Sequence, residues 1–192
     1  MRNRPSLRSR RSLLRALLGA CATPMPFAAL AGFNFFTSEY TASREELQAQ
    51  IAKRFPVQRR YADLFTVGLR DPRLGLDPRS NRAAITAVLS ISSPLLQPQT
   101  VEGIVSVSSA LRYDAPARAL RLDRPQAERL ELQGVTGRDA ERLQNIGAVV
   151  AQELLRDQAL RTFTAEELTV GRKTYEIGAI TVQDDGITVE LK

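Results

Sequence analysis

Residues 136–163 read TGRDAERLQNIGAVVAQELLRDQALRTF, and this stretch is long and periodic enough to form the major helix of the chain. Thr136 precedes Asp139 by three residues, a spacing similar to that of a capping box, which predicts the helix start. We expect about 20 to 26 helical residues, roughly 30 to 39 Å long. Asp157 interrupts the apolar face, so the last turns are predicted to bend or to pack elsewhere. That face consists of apolar and small residues at helical spacing: Leu143, Ile146, Gly147, Val150, Ala151 and Leu154.

Upstream of this helix, apolar and polar residues alternate, as they do in strands with one buried face. Short turns separate these segments, which predicts an antiparallel meander. Asp71-Pro72 and Pro125 are predicted to break two of the strands, with Leu74 and Leu76 as a continuation of the first. The segments with this alternation are 65–70, 82–91, 104–113 and 120–132.

Local signals at the two ends of the body predict further elements. Ser43 and Glu46 have capping-box spacing and open a short helix that is expected to stop at Pro56. Alternation over 180–191 around the turn Asp184-Asp185-Gly186 predicts a C-terminal hairpin. Together with the meander and the long helix, these elements predict a single α+β domain over 32–192.

The charge distribution argues against nucleic-acid binding. The formal net charge is +6, but six of the 27 basic residues lie in the first 31 residues, which contain no acid. The rest of the chain has 21 basic and 21 acidic residues. Nucleic-acid binding needs Lys and Arg clustered on a folded surface, so we expect no nucleic-acid partner.

The residue inventory also argues against catalysis. The chain has no histidine, which excludes Ser-His-Asp and Cys-His nucleophile systems and disfavours a transition-metal site. The carboxylate pairs at 45–46, 166–167 and 184–185 each have a local explanation in a cap, a helix start or a turn. We therefore expect a protein without catalytic residues, metal or cofactor.

Residues 1–31 are typical of an export signal: an arginine-rich start, an apolar stretch and small residues at the end. Within them, SRRSLLR at 9–15 is similar to the twin-arginine motif, although a plain secretory signal also fits. Ala29 and Ala31 form a small-x-small cleavage site. Cys21 offers an alternative lipidation site, but the apolar stretch before it is short, which favours cleavage after Ala31. We expect a soluble periplasmic protein, attached to a membrane only if Cys21 is lipidated.

The segment YTASREEL at 40–47, followed by the meander and the long helix, resembles the YceB-like family of proteobacterial envelope lipoproteins. The resemblance implies a strongly curved antiparallel sheet that wraps around the long helix, as in tubular lipid-binding domains. It also implies a lipid or another hydrophobic ligand in an apolar channel. In that family the anchoring cysteine lies a few residues before the tyrosine, whereas Cys21 lies 19 residues before Tyr40. This departure again favours the soluble form.

If such a channel exists, its lining comes from apolar positions of the sheet and of the helix. The same residues equally fit a filled core, because periodicity does not separate the two arrangements. The first arrangement predicts a protein that holds a hydrophobic ligand. The second predicts an envelope interaction module that binds a protein partner through Leu95-Leu96 or a sheet edge. The candidate lining residues are Phe65, Val67, Leu69, Ile85, Leu89, Val107, Leu111, Val150 and Leu154.

Overall fold

The computed structural model describes residues 32–34, 38–61, 63–170 and 172–192. The predicted export signal, with Cys21, Ala29 and Ala31, lies outside the described residues. The elements, in chain order, are β1 Gly32–Asn34, β2 Glu39–Ser43, α1 Arg44–Ala52, β3 Val57–Tyr61, β4 Phe65–Asp77, β5 Arg82–Ser92, β6 Thr100–Asp114, β7 Ala119–Leu132, α2 Gly137–Leu155, β8 Ala159–Thr162, β9 Thr169–Val170, β10 Lys173–Thr174, β11 Ile177–Val182 and β12 Gly186–Leu191.

The larger sheet is an antiparallel meander of six strands in the order β3-β4-β5-β6-β7-β8. The alternation along β5 is regular, with every second residue from Ala83 to Ile91 buried. The sheet is curled, and α2 packs against it, in contact with strands β3 to β7. The broad α+β class is therefore confirmed, with a curled antiparallel sheet and two helices.

Two strands run through the prolines that were predicted to break them. In β4 the register shifts between Arg70 and Arg73, and in β7 it shifts opposite Pro125. The residue before each proline has a left-handed backbone, with φ of 54° at Asp71 and 48° at Arg124. These bulges leave each proline outside the regular hydrogen-bond ladder, so the missing N–H does not end the strand. The predicted breaks are wrong for this reason.

Helix α2 ends at Leu155, earlier than predicted. Asp157, with φ of 62°, turns the chain, and residues 159–162 form β8 beside β7. The predicted capping box at its start is also absent, because the Thr136 side chain makes no cap hydrogen bond. The buried face of α2 differs from the predicted one at Ile146, which is 46% exposed. The buried residues of α2 are Leu143, Gly147, Val150, Ala151, Leu154 and Leu155.

The smaller sheet has the order β1-β2-β12-β11 and is antiparallel throughout. Helix α1 contacts both sheets, with Leu47 and Ile51 buried between them. Ser43 and Glu46 form the reciprocal hydrogen bonds of a capping box, each 3.3 Å long. Strands β11 and β12 form the predicted C-terminal hairpin. Among the described residues, neither helix combines the length and apolarity needed to cross a bilayer.

Candidate functional site

A cleft of about 630 Å³ opens at one end of the curled sheet, beside the N-terminal half of α2. Because neighbouring strands run in opposite directions, the β3–β4, β5–β6 and β7–α2 connections meet at this end. Seven of the twelve residues around it are apolar, and polar groups provide about half of the lining surface, so the cleft is amphipathic. The lining residues are Phe65, Leu95, Leu96, Gln97, Val101, Gly134, Val135, Thr136, Asp139, Arg142, Leu143 and Ile146.

The loop between β5 and β6 forms one wall of the cleft. Its ends are joined by the Ser93 amide, which donates to the Gln99 carbonyl at 2.9 Å. Ser93 also accepts two hydrogen bonds from the loop: its hydroxyl from the Leu95 amide at 3.2 Å, and its carbonyl from the Leu96 amide at 3.2 Å. This short hydrogen-bonded loop presents the Leu95 side chain to solvent, where 69% of it is exposed.

Helix α2 forms the opposite wall, apolar at its base and polar at its rim. Leu143 is buried, whereas Ile146 is half-exposed. Asp139 and Arg142 lie at the rim, with Asp139 Oδ1 and Arg142 Nη1 4.0 Å apart and both side chains largely in water. An exposed pair of this kind contributes little to stability. The cleft can therefore hold an apolar chain and keep a polar group at its mouth.

One residue beyond Ile146, α2 packs directly on the sheet at Gly147. A Cβ atom on this residue would lie only 2.9 Å from Leu89 Cδ2 and 3.0 Å from Leu130 Cδ2. Glycine thus lets the helix approach the strands more closely than a side chain allows. On the sheet below, Ile91 is fully buried and lies beside Val101, a residue of the cleft.

A polar contact bridges α2 and the edge strand β3 alongside the cleft. The Arg59 guanidinium forms an ion pair with the Glu153 carboxylate, and the Tyr61 hydroxyl donates to Glu153 Oε2 at 3.4 Å. Loss of hydration raises the pKa of Tyr61, and the neighbouring Glu153 charge acts in the same direction. These contacts hold the helix to the edge strand.

The structure places the predicted lining residues in different surroundings. Phe65 is partly buried and lines the cleft. Leu111 is partly buried and packs against the core. Their proposed role as ligand contacts stays a prediction. The other candidates are buried members of the hydrophobic core: Val67, Leu69, Ile85, Leu89, Val107, Val150 and Leu154.

The paired carboxylates lie in separate structural contexts. Glu46 belongs to the α1 cap, and Glu167 accepts from Arg161 Nη2 at 2.6 Å. Asp184 and Asp185 lie between β11 and β12. Over the part of the chain that the structure describes, acidic residues form no cluster of three or more suited to a metal ion.

Sequence reasoning missed several residues of the cleft, notably Val101, Val135 and Arg142. None of them belongs to a motif, and Val101 opens a strand rather than lying in its middle. The order of the strands could have indicated these residues. In an antiparallel meander alternate connections lie at one end of the sheet, so apolar residues in 61–65, 93–99 and 133–136 were placed to meet there.

A comparison with protein-family models gives no match, and no curated protein matches the chain significantly in sequence. Neither result bears on the resemblance to YceB-like proteins, which stays a prediction.

Proposed function

We propose that this chain is an exported, non-catalytic protein that holds a hydrophobic ligand, such as a fatty acid or the acyl chain of a lipid, in the cleft beside α2. The observation that carries the proposal is the arrangement of the cleft, whose helix wall has apolar side chains, Leu143 and Ile146, beside a charged pair, Asp139 and Arg142, at the rim. That pattern matches an amphiphile, whose chain avoids water and whose head group stays in it.

The size of the cleft supports the same conclusion. Its volume of about 630 Å³ falls within the range of about 300 to 1,000 Å³ in which small-molecule sites are usually found. Each methylene group that leaves water for such a surface contributes about 0.8 kcal/mol. About ten buried methylenes therefore supply the roughly 8 kcal/mol of micromolar binding, before the entropic cost of association, without any covalent step. The export part of the proposal rests on the signal predicted over residues 1–31 and places the protein in the periplasm.

The test is displacement of a fluorescent fatty acid from the purified protein, with native mass spectrometry of material isolated from the periplasm. Ile146→Glu places a carboxylate in the cleft and is expected to weaken binding at least tenfold, because the charge loses hydration when an acyl chain covers it. Ile104→Glu is the matched control, since Ile104 is 48% exposed against 46% for Ile146 and lies outside the cleft. Equal binding by both variants, or no binding by the unmodified protein, would refute the proposal.

A second candidate function is an envelope interaction module that binds a protein partner through the β5–β6 loop. The observation in its favour is Leu95, which is 69% exposed although it is a large apolar residue. Leu95→Asp is expected to abolish capture of a defined partner from envelope extracts while the thermal unfolding temperature stays unchanged. Fatty-acid binding by a protein that captures no partner would favour the first function instead.

A further inference from the structure

Next to the cleft, α2 packs directly on two strands of the larger sheet. Leu143 and Ile146 line the cleft, and Gly147 is the next residue along the helix. A Cβ atom there would lie within 3.4 Å of Leu89 Cδ2, Leu130 Cδ2 and Ile91 Cδ1. The helix and the sheet therefore touch at this point without room for an additional group.

On the sheet, Ile91 is fully buried and lies next to a residue of the cleft. Its neighbour across the β5–β6 ladder is Val101, which lines the cleft, and its neighbour on β4 is Val67. All three residues are at most 1% exposed and share one face of the sheet. Ile91 and the buried residues beyond it along β5, beginning with Leu89, belong to the packed core.

We propose that Ile91, held beneath Gly147, determines the length of the acyl chain that the cleft accepts. This inference rests on the proposed function and adds a specificity-determining residue to it. A chain that enters beside Ile146 extends until it meets the Ile91 side chain. Further methylenes then stay in water, because close-packed interiors do not open for them without strain.

The test is a series of straight-chain saturated fatty acids, from octanoic to octadecanoic acid, that displace the fluorescent fatty acid. Affinity is expected to rise about fourfold per added methylene while the chain still extends into the cleft. Beyond a limiting length the increase stops. Ile91→Ala removes three carbon atoms from the end wall and is expected to move the limit by about two to three methylenes towards longer acids.

Ile187→Ala is the matched control, because Ile187 is buried like Ile91, with 1% exposed against 0%, but lies in β12 of the smaller sheet. It removes the same atoms, so a comparable loss of stability is expected with an unchanged length limit. Ile91→Val provides a milder change if the alanine variant does not fold, and is expected to shift the limit by about one methylene at most.

The outcomes separate the two proposals. A shift with the Ile91 variants and none with Ile187→Ala supports the role of Ile91. A limit that is unchanged in the Ile91 variants, that moves equally with Ile187→Ala, or that is missing from the unmodified protein overturns this inference, although fatty-acid binding stands. If no acid in the series displaces the probe, the proposed function itself fails.

Discussion

At the scale of single residues, Arg161 connects parts of the chain that are distant in sequence. Its Nη2 atom donates to the Tyr40 hydroxyl at 2.7 Å and to Glu167 Oε1 at 2.6 Å. The guanidinium carbon also lies 5.7 Å from the centre of the Tyr40 ring and 5.9 Å from that of Phe163. Only 12% of the Arg161 side chain is exposed, so its charge is stabilised mainly by these groups.

Because of Tyr40, the free energy of unfolding is expected to decrease as the pH rises in the alkaline range. Burial raises the pKa of Tyr40 above its ordinary value of 10.0, although the Arg161 charge opposes the change. In the unfolded chain, tyrosine loses its proton first as the pH rises through 10.0, so deprotonation favours unfolding above that pH. The stabilising contribution is complete below this value and is lost as the pH rises towards the folded pKa.

We predict that the free energy of unfolding of the Tyr40→Phe variant decreases less steeply with rising alkaline pH than that of the unmodified protein. At neutral pH the variant should be less stable by about 1 kcal/mol, because Arg161 loses one hydrogen-bond acceptor. Urea unfolding of both proteins between about pH 8 and about pH 11 measures the two slopes. Part of the slope should persist, since burial also raises the pKa of Tyr61 and of Tyr113. If the free energy of unfolding decreases equally with pH in both proteins, Tyr40 does not cause the pH dependence.

At the scale of elements, sequence reasoning succeeded where the signal is local. The alternation along β5 and the turn at Asp184-Asp185-Gly186 predicted their elements because they depend on neighbouring residues. It failed where distant strands decide the outcome. Residues 159–162 became a strand because β7 offers them a partner, and Pro125 stays inside β7 because a bulge accommodates it. Helical spacing alone carries no information on either contact.

The two helix starts provide a contrast that sequence spacing did not reveal. The Ser43 hydroxyl accepts from the Glu46 amide, whereas Thr136 forms no side-chain cap. We predict that Ser43→Ala lowers the free energy of unfolding by about 1 kcal/mol and that Thr136→Ala changes it by much less. Thermal and urea unfolding of the two variants measure the difference. A loss at Thr136 equal to that at Ser43 would show that the cap geometry described for α2 is wrong.

At the scale of the whole molecule, the cleft depends on how the meander curls, which local pattern does not specify. Periodicity placed Val67, Leu89 and Val150 correctly on apolar faces but did not distinguish a lined channel from a packed core. The distinction depends on how closely α2 approaches the sheet. Gly147 allows direct contact there, whereas at Ile146 the space between helix and loop stays open.

Besides α1 and the hydrogen bond from Arg161 to Tyr40, a side chain in the turn between β4 and β5 joins the two sheets. Asn81 Nδ2 donates to the Ile180 carbonyl at 3.0 Å, and Asn81 Oδ1 accepts from the Val182 amide at 2.7 Å. The amide group thus pairs with β11 as a neighbouring strand would and connects the larger sheet to an edge of the smaller one. Exposed strand edges favour aggregation, so this contact also protects β11.

Two substitutions separate the hydrogen bonds of Asn81 from its backbone conformation, which is left-handed with φ of 53°. We predict that Asn81→Gly lowers the free energy of unfolding by about 1 to 3 kcal/mol, because both bonds are lost while glycine accepts this φ. Asn81→Ala should lower it by about 1 kcal/mol more, since alanine is strained there. Urea unfolding measures the free energy of unfolding of each variant, and hydrogen exchange shows which part of the molecule is affected. The Val182 amide should exchange faster, while the exchange rates of amides in the centre of β5 should change less. Equal acceleration in both sheets would mean that Asn81 stabilises the whole molecule rather than the contact between its sheets.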